Sequence, residues 1–225
     1  MGAVPTAPPP PRRRSKAALR ALGQEVYDRL GRAFPDAHCE LDFTSPFELL
    51  LATVLSAQTT DKLVNTVTPL LFSRYPDAAA LAVARPEDVE EILRPTGYFR
   101  QKTRSVIGIG ALLTATHDGE VPRTMDELTA LPGVGRKTAN VVLGNAFSIP
   151  GFPVDTHVTR VTGRLGLTAS RDPLVIETEL TALLPRNTWT MASHRLIFQG
   201  RRVCHARKPT CGSCLLADLC PSVSD

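Results

Sequence analysis

Four cysteines crowd the C-terminal end, Cys204, Cys211, Cys214 and Cys220, in the spacing C-x6-C-x2-C-x5-C. Thiols this close together suit a shared metal centre, because thiolates bind both zinc and iron–sulfur clusters. Zinc is usually held by two C-x2-C knuckles set far apart. Only one such knuckle is present, so spacing alone leaves zinc and an iron–sulfur cluster both open. Disulfides are disfavoured inside cells. The fifth cysteine, Cys39, stands alone and reads as a small buried hydrophobe.

A second group of residues lies in Leu131-Pro132-Gly133-Val134-Gly135-Arg136-Lys137-Thr138. Gly133 and Gly135 allow a tight turn whose N–H groups stay uncovered. With the start of the following helix, those groups form an anion site suited to a phosphate. This is a helix–hairpin–helix pattern, which binds the DNA backbone without reading its sequence. It is not a Walker loop, because the glycine spacing is wrong. Lys137 falls in the first turn after the hairpin, beside Arg136. A positive charge is unfavourable there, which favours the free amine needed for nucleophilic attack. Further on, Val154-Asp155-Thr156-His157 opens another helix, with Asp155 placed as its N-cap.

These groups need a scaffold, and the pattern around them is helical almost throughout. Apolar residues recur at helix spacing from Leu19 to Phe34. Ser45-Pro46-Phe47-Glu48 is a capping box opening a helix to about Ala57, and Thr124 and Glu127 form another. Asp61 opens a further helix. Others are expected near 77–84, 86–93, 101–116, 136–147, 155–165, 173–183 and 188–202. No alternating strand pair is evident, so the fold class is all-α with about ten helices. No apolar run approaches the ~20 residues of a membrane span, and the N-terminus has no signal-peptide core. A soluble intracellular protein is expected, without a membrane partner.

The 225 residues carry a net charge of +4. Arg12, Arg13, Arg14 and Lys16 supply that excess in an acid-free, proline-rich tail read as disordered over residues 1–17. The remaining chain is balanced, so distribution rather than total charge is informative. From Arg195 to Lys208 the chain has Arg195, Arg201, Arg202, Arg207, Lys208 and His205 but no carboxylate.

In this order and spacing, the lysine-bearing hairpin, Val-Asp155-Thr-His and the four cysteines resemble endonuclease III. That is the bifunctional DNA glycosylase/AP lyase family of base excision repair. Ser45-Pro-Phe-Glu-Leu-Leu and Leu55-Ser-Ala-Gln58-Thr-Thr-Asp61 agree as well, and the similarity runs from about residue 18 to 221. The resemblance implies a six-helix barrel over about 38–149, with its helix–hairpin–helix at about 124–147. A second domain would join 18–37 to 150–221 and hold a [4Fe-4S] cluster on Cys204, Cys211, Cys214 and Cys220. It implies that Lys137 attacks the sugar C1′ and that Asp155 stabilises the developing positive charge. Gly133, Val134 and Gly135, with Arg207 and Lys208 in a loop from His205 to Thr210, would contact phosphates. Gln58 would fill the gap left by a flipped nucleotide. Tyr98 takes the opposite wedge position, where an aliphatic residue is familiar; a tyrosine there can also stack on a base. Asp61 would lie near the lesion pocket, or serve simply as a helix cap. The implied function is removal of oxidised pyrimidines from double-stranded DNA, followed by β-elimination at the abasic site, by a monomer in a bacterial cytoplasm, associated with the nucleoid. A mismatch glycosylase of the same superfamily usually lacks the lysine, and a non-catalytic DNA-binding relative would need neither Lys137 nor Asp155.

Overall fold

A computed structural model describes residues 14–223, and the remainder of the expected N-terminal tail lies outside that range. Eleven α-helices succeed one another among the described residues: α1 (Lys16–Ala33), α2 (Pro46–Leu55), α3 (Asp61–Arg74), α4 (Ala78–Ala82), α5 (Pro86–Leu93), α6 (Phe99–Thr116), α7 (Met125–Ala130), α8 (Arg136–Ala146), α9 (Thr156–Leu165), α10 (Pro173–Thr181) and α11 (Trp189–Arg202). No strand occurs among these residues. The all-helical expectation holds.

The helix starts follow from local chemistry. Ser15 accepts from the Ala18 N–H and opens α1, so Lys16 is the first helical residue rather than part of the tail. Ser45 caps α2 with Pro46 in the first turn. The expected capping box is only half realised. Glu48 does not return to Ser45 but accepts from the N–H and hydroxyl of Thr44, at 2.5 and 2.9 Å. Asp172 caps α10 ahead of Pro173. Two boundaries move from their expected places. Helix α2 stops at Leu55, before the turn that carries Gln58, and α6 starts at Phe99 because Tyr98 adopts left-handed backbone geometry.

The apolar faces form two separate cores. One is built from α2 to α8, with α2 at its centre; Leu49, Leu50, Leu51, Ala52 and Leu55 are wholly buried. Each such leucine contributes roughly 1.5–3 kcal/mol of burial free energy. The other joins α1 to α9, α10, α11 and the segment after them, around Leu30, Phe152, Val158, Ile176 and Phe198. Polar links cross between the two. His194 on α11 meets Asn145 on α8 at 2.8 Å, Arg136 on α8 makes a two-pronged pair with Glu177 on α10, and Arg201 on α11 reaches Glu40 and Asp61.

Candidate active site

The hairpin before α8 is fixed by its own residues. Val134 N–H donates to Leu131 O at 3.1 Å and closes the turn. Gly133 sits at φ +76°, and a Cβ there would come within 2.7 Å of Ser105 Oγ, so both backbone and space demand glycine. Val134 turns its side chain into the first core at 6% exposure. It therefore anchors the hairpin from below, with its N–H closing the turn and its side chain seated in the core. Gly135 is the N-cap of α8 and supplies no capping side chain. A Cβ on Gly135 would meet nothing. Its lack of a side chain matters only to something approaching from outside, and the first N–H groups of α8 are open to that approach.

Lys137 is the second residue of α8 and is exposed. The next turn of the helix, from Ala139 to Leu143, is buried and fixes its direction. Arg136 does not crowd the lysine as the sequence suggests. Its guanidinium is held by both oxygens of Glu177, at 2.8 and 2.9 Å, and its charge is largely offset there.

Asp155 caps α9, as expected from sequence. Its Oδ1 accepts from the Val158 N–H at 2.8 Å, while Oδ2 has no protein partner among the described residues. One oxygen thus holds the carboxylate in place, and the other is left for a ligand. Lys137 and Asp155 line one cleft between the two cores, together with Cys39, Asp61, His194 and Arg201. Burial pushes the Cys39 thiol above its ordinary range, so it stays protonated and unreactive.

Asp61 also lines this cleft, but it is not a helix cap; Thr60 performs that role by accepting from the Leu63 N–H. Asp61 Oδ2 instead accepts from Arg201 Nη2 at 2.7 Å. The basic run from Arg195 to Lys208 is therefore divided, among the described residues, between side chains with partners inside the fold and side chains without. Arg195 lies 4.4 Å over the Tyr27 ring, Arg201 pairs with Asp61 and Glu40, and Arg202 stacks 3.9 Å over Phe198. Arg207 and Lys208 are exposed and form no ion pair among the described residues.

Gln58 and Tyr98 stand on two neighbouring loops, before α3 and before α6. Both have left-handed backbone, at φ 55° and 47°, which is uncommon for residues with side chains. Tyr98 is 65% exposed despite its ring.

The four C-terminal cysteines all line one small apolar cavity with Val161, Leu165 and Leu216. None is in a disulfide. Arg164 donates to Cys204 Sγ and Gln199 to Cys214 Sγ, each at 3.2 Å. Among the described residues, no three metal-binding side chains converge on a single-ion site. Four thiols around one apolar cavity, with N–H donors aimed at two of the sulfurs, fit a thiolate-bound metal centre.

Residues 51–186 match the HhH-GPD superfamily base excision DNA repair protein family. The endonuclease III of Synechocystis sp. is 50% identical over 210 residues, covering 93% of this chain and 96% of that protein. The chain belongs to the endonuclease III family. Two solved endonuclease III structures superpose with TM-scores of 0.87 at 45% identity, covering 90% of this chain. One is a non-covalent complex with DNA, covered over 95% of its chain, and the other a trapped covalent intermediate with DNA, covered over 96%. As a member of the endonuclease III family, the protein is a base excision repair DNA glycosylase with AP lyase activity. The curated relatives are bacterial, and no described helix is long and apolar enough to cross a membrane.

Sequence reasoning missed several residues of the endonuclease III cleft. Arg201, His194 and Glu40 carry no local motif, and their partners lie far away along the chain. Arg201 lies inside the basic run, where nothing local marks it off from its neighbours.

Proposed function

We propose that Lys137 is the nucleophile and Asp155 the carboxylate that stabilises the sugar cation. The substrate is an oxidised pyrimidine, or the abasic site it leaves, in double-stranded DNA. One observation carries the reading: the first turn of α8 and the N-cap of α9 place this amine and this carboxylate on one cleft beside an uncapped hairpin.

The N–H groups of Gly133 and Gly135 grip a phosphate while the Val134 N–H closes the turn between them, and Arg207 and Lys208 hold another part of the backbone. These contacts do not depend on base identity. The target nucleotide leaves the stack, Gln58 fills the gap, and Tyr98 wedges from the other side. Asp61, held by Arg201, borders the space entered by the base.

The neutral Lys137 amine then attacks C1′. The bond from C1′ to the base breaks, and its electron pair leaves with the base, which takes up a proton. Positive charge builds on the sugar as this bond stretches, and the Asp155 carboxylate opposes it. Loss of the amine proton and ring opening yield a Schiff base. Its C2′ proton is now acidic, and its removal expels the 3′ phosphate by β-elimination. The free Asp155 oxygen also suits the proton movements of these steps.

Cys204, Cys211, Cys214 and Cys220 would hold a [4Fe-4S] cluster. When bound it supplies a structural tie for the loop that presents Arg207 and Lys208, and the β-elimination sequence needs no redox step. The two apolar cores support a division into a 38–149 barrel and a domain of 18–37 with 150–221. A monomer is sufficient, because both reactive groups come from one chain.

Incision of a duplex carrying a single ring-saturated pyrimidine tests this reading. The expected product ends in a 3′ unsaturated aldehyde. A 3′ hydroxyl would indicate a hydrolytic nuclease, and base release without a break would indicate a monofunctional glycosylase. Either result rejects the proposal.

A further inference from the structure

Lys102 is 5% exposed, in the first turns of α6, and no carboxylate pairs with it among the described residues. A buried cation is costly unless hydrogen bonds replace its water. Its Nζ donates to Thr59 Oγ1 at 2.6 Å and to Thr96 O at 2.9 Å. Thr59 Oγ1 also donates to Thr96 O at 2.7 Å, which closes a triangle. Thr59 directly follows Gln58, and Thr96 stands two residues before Tyr98. The backbone N–H of Lys102 donates to Tyr98 O at 3.1 Å. The two loops so joined are those whose tips adopt left-handed backbone at Gln58 and Tyr98. Such geometry persists only where surrounding contacts over-determine it. Burial also lowers the affinity of Lys102 for its proton.

We propose that Lys102 is a positioning residue that joins the Gln58 and Tyr98 loops into one rigid wedge, so that both tips enter a duplex together. This rests on the reading of Gln58 and Tyr98 as inserted side chains. The amine of Lys102 touches no substrate; it acts through Thr59 and Thr96. Losing the tie frees each loop to leave its strained conformation, and the ordering must then occur during duplex opening. Reaction at a site that needs no duplex opening escapes that cost.

The test compares borohydride-trapped crosslinking on the same abasic sequence as duplex and as single strand, using full-length protein. Lys102→Met keeps the length of the side chain but removes its hydrogen bonds. It is expected to lower the duplex-to-single-strand rate ratio about tenfold, the scale of a lost charged hydrogen bond. It is also expected to weaken the brightening of 2-aminopurine placed opposite the abasic site. Thr59→Val should act in the same direction, and it carries the test if Lys102→Met does not fold. Gln58→Ala and Tyr98→Ala set the reference. If they lower the ratio and folded Lys102→Met or Thr59→Val does not, the positioning role is wrong. Equal losses on both substrates would make the lysine merely structural and also overturn it. If Gln58→Ala and Tyr98→Ala leave the ratio unchanged, the insertion reading itself fails, and this inference with it.

Discussion

His194 should make the fold sensitive to mild acid. It is 8% exposed, with Nε2 2.8 Å from Asn145 Oδ1 across the junction of α8 and α11. Burial, helped by the positive fields of His38 and Arg201 and opposed by Glu40, lowers its pKa from 6.5 to about 4. The folded state therefore binds this proton more weakly than the unfolded state. Stability from this group is complete above about pH 6.5, where the unfolded histidine is neutral too, and is lost as pH falls from there toward about 4. Between pH 7 and pH 5 the loss is about 2 kcal/mol, because one unit of pKa difference is worth about 1.4 kcal/mol. In a chain of this length that corresponds to about 4–8 °C in melting temperature. The perturbation is His194→Gln, which keeps a polar side chain of similar reach but cannot titrate. Melting by circular dichroism at both pH values should show the wild type losing more stability than the variant by that amount. Equal losses in the two proteins would mean that His194 is protonated without penalty in the fold, and the burial argument would be wrong.

Asp155→Asn keeps a helix cap, so the protein should fold normally. Base release in single-turnover assays should slow by about 100-fold, near 3 kcal/mol of barrier, with a smaller effect on a pre-formed abasic site. Arg207→Ala with Lys208→Ala should weaken binding to all duplex sequences alike. Removing two phosphate contacts should reduce the slope of log affinity against log salt by about 2, as read by fluorescence anisotropy. Cys211→Ser should lose the visible absorption and iron expected of a [4Fe-4S] protein, whereas Cys39→Ser should keep both, because Cys39 lies in the cleft and not in the cysteine cavity; metal analysis and the absorption spectrum decide this.

The chemistry that was legible in the sequence was written locally. Four cysteines fall within one short segment, Lys137 follows its glycines directly, and Asp155 stands at the start of its own helix. Helix type was legible for the same reason, since caps and apolar spacing act over one or two turns. What escaped was everything assembled over distance. Asp61 and Arg201 meet across the cleft, His194 meets Asn145, and Lys102 meets Thr59, yet none of these pairs leaves a mark in either local stretch. The run from Arg195 to Lys208 shows the converse limit: its charges look alike in sequence, but Arg195, Arg201 and Arg202 are occupied by Tyr27, Asp61, Glu40 and Phe198, whereas Arg207 and Lys208 are exposed. Val134 reads in sequence as a residue of the glycine hairpin, yet its side chain packs into the first core, a burial that the local pattern does not reveal.

The central claim is that the amine of Lys137 forms the covalent bond to DNA. Borohydride reduction of the protein on abasic duplex, followed by digestion and mass spectrometry of the DNA-linked peptide, tests it directly. The account predicts one modified peptide with the adduct on Lys137, and no crosslink from a folded, DNA-binding Lys137→Gln variant. An adduct on any other lysine, or wild-type crosslinking by Lys137→Gln, would contradict it.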